Sequence, residues 1–146
     1  SDLIDLKIGE DGRFGYPPLV RYWRDEGYLA FLIRAGGGLA GFVLVQRGSR
    51  ITGAAEVWDV AEFFVLRGWR RQGVGLSAAL RIWEMLPGSW EVRVSVANSG
   101  ARGFWLRAVT AFTGSPANVV LTQAEGKSWQ LFSFVSADPR QSGHSG

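Results

Sequence analysis

Between Tyr28 and Val135 the apolar residues follow two rhythms. Short runs rich in β-branched and aromatic residues predict strands at 28–34, 39–45, 57–66, 90–96, 118–122 and 128–135. Longer stretches with apolar residues three and four apart predict helices. The first helix is expected over 76–86, with Leu76, Ala79, Leu80 and Trp83 facing the core. The second follows Asn98 or Ser99, either of which can cap it, and its stripe is Ala101, Phe104, Trp105, Ala108 and Phe112. Strand 90–96 alternates cleanly, so Trp90, Val92, Val94 and Val96 share a face. Gly36-Gly-Gly38 and Gly126 read as hairpin turns, and Pro87-Gly88 and Gly114-Ser-Pro116 as helix stops.

The ends of the chain are less regular. Residues 1–16 read as a loop with at most a short strand over 3–8. Prolines at 17 and 18 open a predicted helix over 17–26, with Leu19, Tyr22 and Trp23 on one side. Residues 138–146 form a polar Ser/Gly tail without a reason to be ordered. The whole reads as one domain over 1–137, without internal repeats. The chain does not begin with Met, which suggests a truncated or processed N-terminus.

The remaining expectations are organised around residues 62–76, Glu-Phe-Phe-Val-Leu-Arg-Gly-Trp-Arg-Arg-Gln-Gly-Val-Gly-Leu. A strand runs into a basic turn, then two glycines one residue apart, then the first turn of a helix. The N–H groups opening a helix have no intrahelical partners, and the helix dipole favours negative charge there. Gly73 and Gly75 leave the backbone approachable. Arg70 and Arg71 add fixed positive charge, so a diphosphate is the natural guest. The dinucleotide fingerprint fits poorly. Six residues separate Leu66 from Gly73, and the next strand ends without an acid. The Walker pattern fails because no Gly-Lys-Ser/Thr follows.

Arg70-x-x-Gly73-x-Gly75 after the apolar strand 63–66 resembles the acetyl-CoA-binding motif of the GNAT superfamily of N-acetyltransferases. Asn98-x-x-Ala101-x-x-Phe104-Trp105 resembles that superfamily's next motif, and the two together cover about 59–109. The resemblance implies an α/β (α+β) fold: a mixed, twisted, mostly antiparallel sheet with helices on both faces. Only one helix is readable before the first hairpin, so the superfamily's usual opening strand is expected to be missing. The resemblance further implies that strands 57–66 and 90–96 splay apart and that acetyl-CoA lies in the gap. Its pantetheine would bond the backbone of Phe63, Phe64 and Val65. Its diphosphate would rest beside Arg70, on the amides of Arg71, Gln72, Gly73, Val74, Gly75 and Leu76. Asn98 is carried over as a further cofactor-binding position.

Composition narrows the chemistry. The 146 residues are 47% hydrophobic and include seven Trp, which argues for a packed globule. Without cysteine there is neither a disulfide framework nor a thiolate nucleophile. The single histidine, His144, lies in the tail, so neither histidine catalysis nor a metal site is expected. No apolar run approaches the ~18 residues that span a bilayer, and no signal-peptide pattern is present, so a cytoplasmic location and no membrane partner are expected. The net charge of +3 comes almost wholly from arginine, which suits bidentate phosphate recognition. Nucleic-acid binding is expected to be weak, since the arginines are spread along the chain. A homodimer is compatible with the sequence.

Acetyl transfer to a primary amine needs a base for the ammonium proton and a donor for the thioester oxygen. Glu62 and Asp59 are the candidate bases, on opposite faces of a regular strand, and Glu62 is preferred because it lies nearer the reacting end. The resemblance implies a backbone N–H near Phe64 or Val65 as the oxygen's donor. Many members place a tyrosine in the second helix to protonate the leaving thiolate; here that position is Trp105. The acceptor could be a small-molecule or a protein amine. A non-catalytic acyl-CoA-binding or nucleic-acid-binding module on the same fold is the alternative.

Overall fold

The computed structural model describes residues 28–138, together with the strand backbones of 4–5 and 19–23. Along the chain run β1 (Ile4–Asp5), β2 (Leu19–Trp23), β3 (Tyr28–Ala35), β4 (Gly38–Arg47), β5 (Trp58–Val65), a 3-10 turn (Arg67–Trp69), α1 (Val74–Met85), β6 (Gly88–Ser95), α2 (Ser99–Thr113), β7 (Asn118–Ala124) and β8 (Lys127–Ser136). Contacts divide them into two compact units. The first comprises 1–46 and 60–82, the second 47–59 and 83–146. β5 and α1 are each shared, with Trp58 and Asp59 and the last turn of α1 counted in the second unit.

In the first unit the strands follow the order β1-β2-β3-β4-β5. β3 and β4 form the expected antiparallel hairpin, with Tyr28 opposite Gln46 and Ala35 opposite Gly38. Leu29, Ala30 and Phe31 are buried in succession, so both faces of β3 are covered. Phe31, Ile33, Val43 and Val45 fill the core with Val60 and, from α1, Val74, Ala78, Ala79 and Ile82. The buried stripe of α1 is therefore turned slightly from the expected one, and Leu76 is only half-buried.

One expectation is corrected here. Residues 19–23, read as part of a helix over 17–26, form β2 and pair antiparallel with β3 from Leu19–Ile33 to Trp23–Leu29. The segment supplies a second strand ahead of the β3–β4 hairpin, where a helix was expected. Leu-Val-Arg-Tyr-Trp is rich in β-branched and aromatic residues, and the free edge of β3 offers a ladder that outweighs weak helical periodicity. The expected short strand near 3–8 is β1, at Ile4–Asp5.

The second unit orders its strands β6-β8-β7, all antiparallel. α2 packs on β6 and β8. Asn98 is its cap, accepting the Ala101 N–H at 2.9 Å, and Gly114 ends it at φ 75°. The core is an aromatic cluster around Trp83, whose ring centroid lies 4.6 Å from Phe134, 5.4 Å from Phe112, 6.0 Å from Trp105 and 6.4 Å from Trp90. The indole N–H of Trp90 donates to the Leu86 carbonyl at 2.8 Å, so this large ring is buried without an orphan donor. From residue 139 onward the expected tail lies outside the described residues.

Candidate functional site

In the first unit β5 runs straight into the turn that precedes α1. Glu62 and Phe64 share one exposed face of the strand, two residues apart. Among the described residues Glu62 has neither a hydrogen-bond nor an ion-pair partner. The Phe64 ring lies 5.7 Å from that of Phe42 on β4. β4 and β5 approach so closely here that a Cβ on Gly41 would stand 2.1 Å from the Phe64 carbonyl oxygen. Just beyond, the Leu66 N–H donates to the Ala40 carbonyl at 2.7 Å.

The turn is held by its own side chains. The Arg70 Nε–H donates to the Val65 carbonyl at 2.9 Å, and its guanidinium lies 5.7 Å from the Phe64 ring centroid. Gln72 Nε2 donates to the Gly68 carbonyl at 3.0 Å. The Trp69 indole lies so close to the β3–β4 turn that a Cβ on Gly36 would stand 2.7 Å from it. The turn is thus fastened at Val65, at Gly68 and, through Trp69, on the neighbouring hairpin. Neither the Gly36–Trp69 contact nor the inward reach of Arg70 and Gln72 has a signature in spacing; the run 36–38 shows only that a turn exists.

Between these ties the backbone changes hand twice. Arg71 sits at φ 65° and Gly73 at φ 78°, and α1 begins at Val74. A left-handed conformation costs a residue with a Cβ about 1–2 kcal/mol, so its presence at Arg71 marks a backbone held in place by its surroundings. Residues 70–73 are exposed. The Ser77 N–H makes a helical bond to the Gly73 carbonyl at 3.0 Å, which leaves the amides of Val74, Gly75 and Leu76 as the open end of α1. The first turn carries no acid. Successive amides in such a turn form an anion-binding concavity, and the helix dipole adds to it.

The second unit holds the other positions singled out from sequence. Asp59 is fully buried and receives two hydrogen bonds from Arg93, Nε–H at 3.2 Å and Nη2–H at 3.0 Å. Arg93 also lies 5.5 Å from the Trp129 ring centroid. Nothing in the spacing of 59 and 93 announces this pair; the alternating faces of two strands create it. Asn98 has its side-chain oxygen engaged in capping α2. Trp105 is buried in the aromatic cluster, 4.8 Å from Phe104.

No protein-family model and no curated protein matches the sequence. Solved structures do. An acetyltransferase from Thermus thermophilus superimposes with a TM-score of 0.57 at 18% identity, over 76% of this chain and 66% of that one. A GNAT family acetyltransferase from Elizabethkingia anophelis with acetyl-CoA bound gives 0.53 at 8% identity, over 75% and 77%. The chain has the GNAT acetyltransferase fold. A third GNAT-fold match, the ribosomal-protein-S18-alanine N-acetyltransferase of Escherichia coli, gives 0.53 at 16% identity over 79% and 73%. The mixed α/β architecture expected from the two motifs is that of these GNAT proteins. The chain spans just under two thirds of the length of the Thermus protein.

Proposed function

We propose that the protein binds acetyl-CoA on the β5–α1 turn and transfers its acetyl group to a primary amine. The observation that carries this reading is the turn itself: exposed, left-handed at Arg71 and Gly73, and opening onto helix amides without an acid beside them. The diphosphate would be held by the N–H groups of Val74, Gly75 and Leu76 and by the exposed guanidinium of Arg71. Arg70 and Gln72 would act from behind, fixing the turn through Val65 and Gly68. Because Arg70 occupies the Val65 carbonyl, pantetheine would use the remaining backbone groups of Phe63, Phe64 and Val65.

In the reaction the amine nitrogen attacks the thioester carbon and the C–S bond breaks. The amine proton leaves to a base and the thiolate of CoA is released. Glu62 supports the role of base best, since it is exposed and uncommitted among the described residues. The Asp59 carboxylate is held by Arg93, so it serves first as a structural anion. The indole N–H of Trp105 is far too weak an acid to protonate a thiolate, and solvent would do so instead. One relative with this fold is named for acetylating an alanine of a ribosomal protein; small amines and protein amines are both retained as acceptors here.

The burial of Trp105 in the core favours a second reading, a GNAT-fold module that binds acyl-CoA without turnover. Free CoA released from acetyl-CoA, measured against a panel of small amines and peptide N-termini, separates the two. Acceptor-dependent release supports catalysis, and ligand binding without release on any amine supports the module.

A further inference from the structure

β7 ends the second unit's strand order, and its outer edge is paired with no other strand among the described residues. Natural edge strands are normally guarded by charge, Pro or a bulge against pairing with another chain. β7, Asn-Val-Val-Leu-Thr-Gln-Ala, has no charged residue and no Pro, and its pairing with β8 runs without a register shift. Val120 and Leu121 are exposed at 51% and 73%.

The direction of its backbone groups follows from the hairpin. The turn has Glu125 at φ 56° and Gly126 at φ 75°, a two-residue type I′ connection that makes Ala124–Lys127 a hydrogen-bonded pair. Bonded and non-bonded pairs alternate from there. Gln123–Ser128, Leu121–Gln130 and Val119–Phe132 are then non-bonded pairs whose N–H and C=O groups point outward. The Val96 N–H donating to the Ser128 carbonyl at 3.2 Å confirms that Ser128 turns away from β7. The free ladder on β7 therefore belongs to Val119, Leu121 and Gln123.

We infer that β7 pairs antiparallel with β7 of a second copy of this chain, about a two-fold axis at Leu121. In that register Leu121 exchanges both backbone bonds with the partner's Leu121, and Val119 does so with the partner's Gln123. The arrangement is isologous, so every contact occurs twice. Neutrality selects the occupant: a two-fold sets a strand against itself, and a charged strand would place like charges face to face. A net charge of +3 opposes self-association elsewhere, yet none of it lies on β7. Beside the strand an open groove of about 400 Å³, lined by Val96, Leu121, Thr122, Gln123 and Ser128, lies on the face carrying Leu121. The partner's Leu121 would stand directly across from Leu121, at the outer rim of this groove, and cover part of the exposed Leu121 side chain.

Sedimentation velocity on the full chain over a range of concentrations tests this. The wild type should show a monomer–dimer equilibrium. Leu121→Lys and Leu121→Glu should each be monomeric, with unchanged far-UV circular dichroism because the side chain is exposed. An equimolar mixture of the two should regain the dimer, as only a direct 121–121 contact can. Val135→Lys, at a site 64% exposed on β8, should associate like the wild type. A wild type monomeric throughout the range overturns the inference, as does a Leu121→Lys variant that still dimerises. A mixture that stays monomeric overturns the two-fold register at Leu121.

Discussion

Glu62 and Asp59 stand three residues apart on one strand in opposite surroundings, Glu62 exposed and Asp59 buried against Arg93. Replacing Glu62 by Gln should lower kcat about 10²–10⁴-fold, the usual loss when a general base is removed, with little change in acetyl-CoA affinity. The deficit should narrow as pH rises, because free amine then forms without help. Steady-state kinetics across pH checks both statements, and a wild-type kcat at neutral pH would remove Glu62 from the mechanism. Asp59→Ala should act instead on stability. It strands a largely buried Arg93, a loss of about 3–5 kcal/mol, visible as a lower denaturant midpoint. The sequence alone ranked the two acids only by position along the strand. Which acid was already paired depended on a residue 34 positions away.

At the scale of elements, β4 and β5 meet through Gly41. A methyl group there would stand 2.1 Å from one backbone atom, the Phe64 oxygen, and 3.0 Å from another, the Val65 Cα. Neither is the tip of a flexible side chain, so the strands must part. Gly41→Ala should cost about 1–3 kcal/mol, as overpacking does, and lower the Tm measured by calorimetry. A variant as stable as the wild type would mean that β5 slides freely on β4. Both helices and the six strands from β3 to β8 were legible: α1, α2 and β6 by the apolar stripe or face each buries, the remaining strands, β7 among them, by their β-branched and aromatic runs between turn signals. β2 was not: its five residues suit either period, and only the edge of β3 decides between them.

At the scale of the molecule, ligand binding and folding are linked. If acetyl-CoA seats on the β5–α1 turn, a concentration of ~100 times Kd should add roughly 2.7 kcal/mol of stability. For a domain of this size that is several degrees in Tm. Gly73→Val should abolish the shift, since its φ of 78° suits no β-branched residue, yet leave the unliganded protein folded, because nothing lies within 4 Å of the new Cβ. No shift with acetyl-CoA, propionyl-CoA or CoA would sink the assignment. That an exposed, glycine-containing basic turn leads into a helix could be read from sequence. The inward ties of Arg70 and Gln72 could not, because their acceptors are carbonyl groups, which every residue has.

The placement of the tryptophans has an optical consequence. The rings of Trp90 and Trp105 lie 6.4 and 6.0 Å from that of Trp83, close enough for the three to share excitation and respond as a group. Trp69 belongs to the other unit, half-buried against Gly36 on the turn that would receive the diphosphate. Its emission responds to the polarity beside Gly36 and the turn. Subtracting the spectrum of Trp69→Phe from that of the wild type isolates it, so if CoA seats on this turn its titration can be followed there without a label.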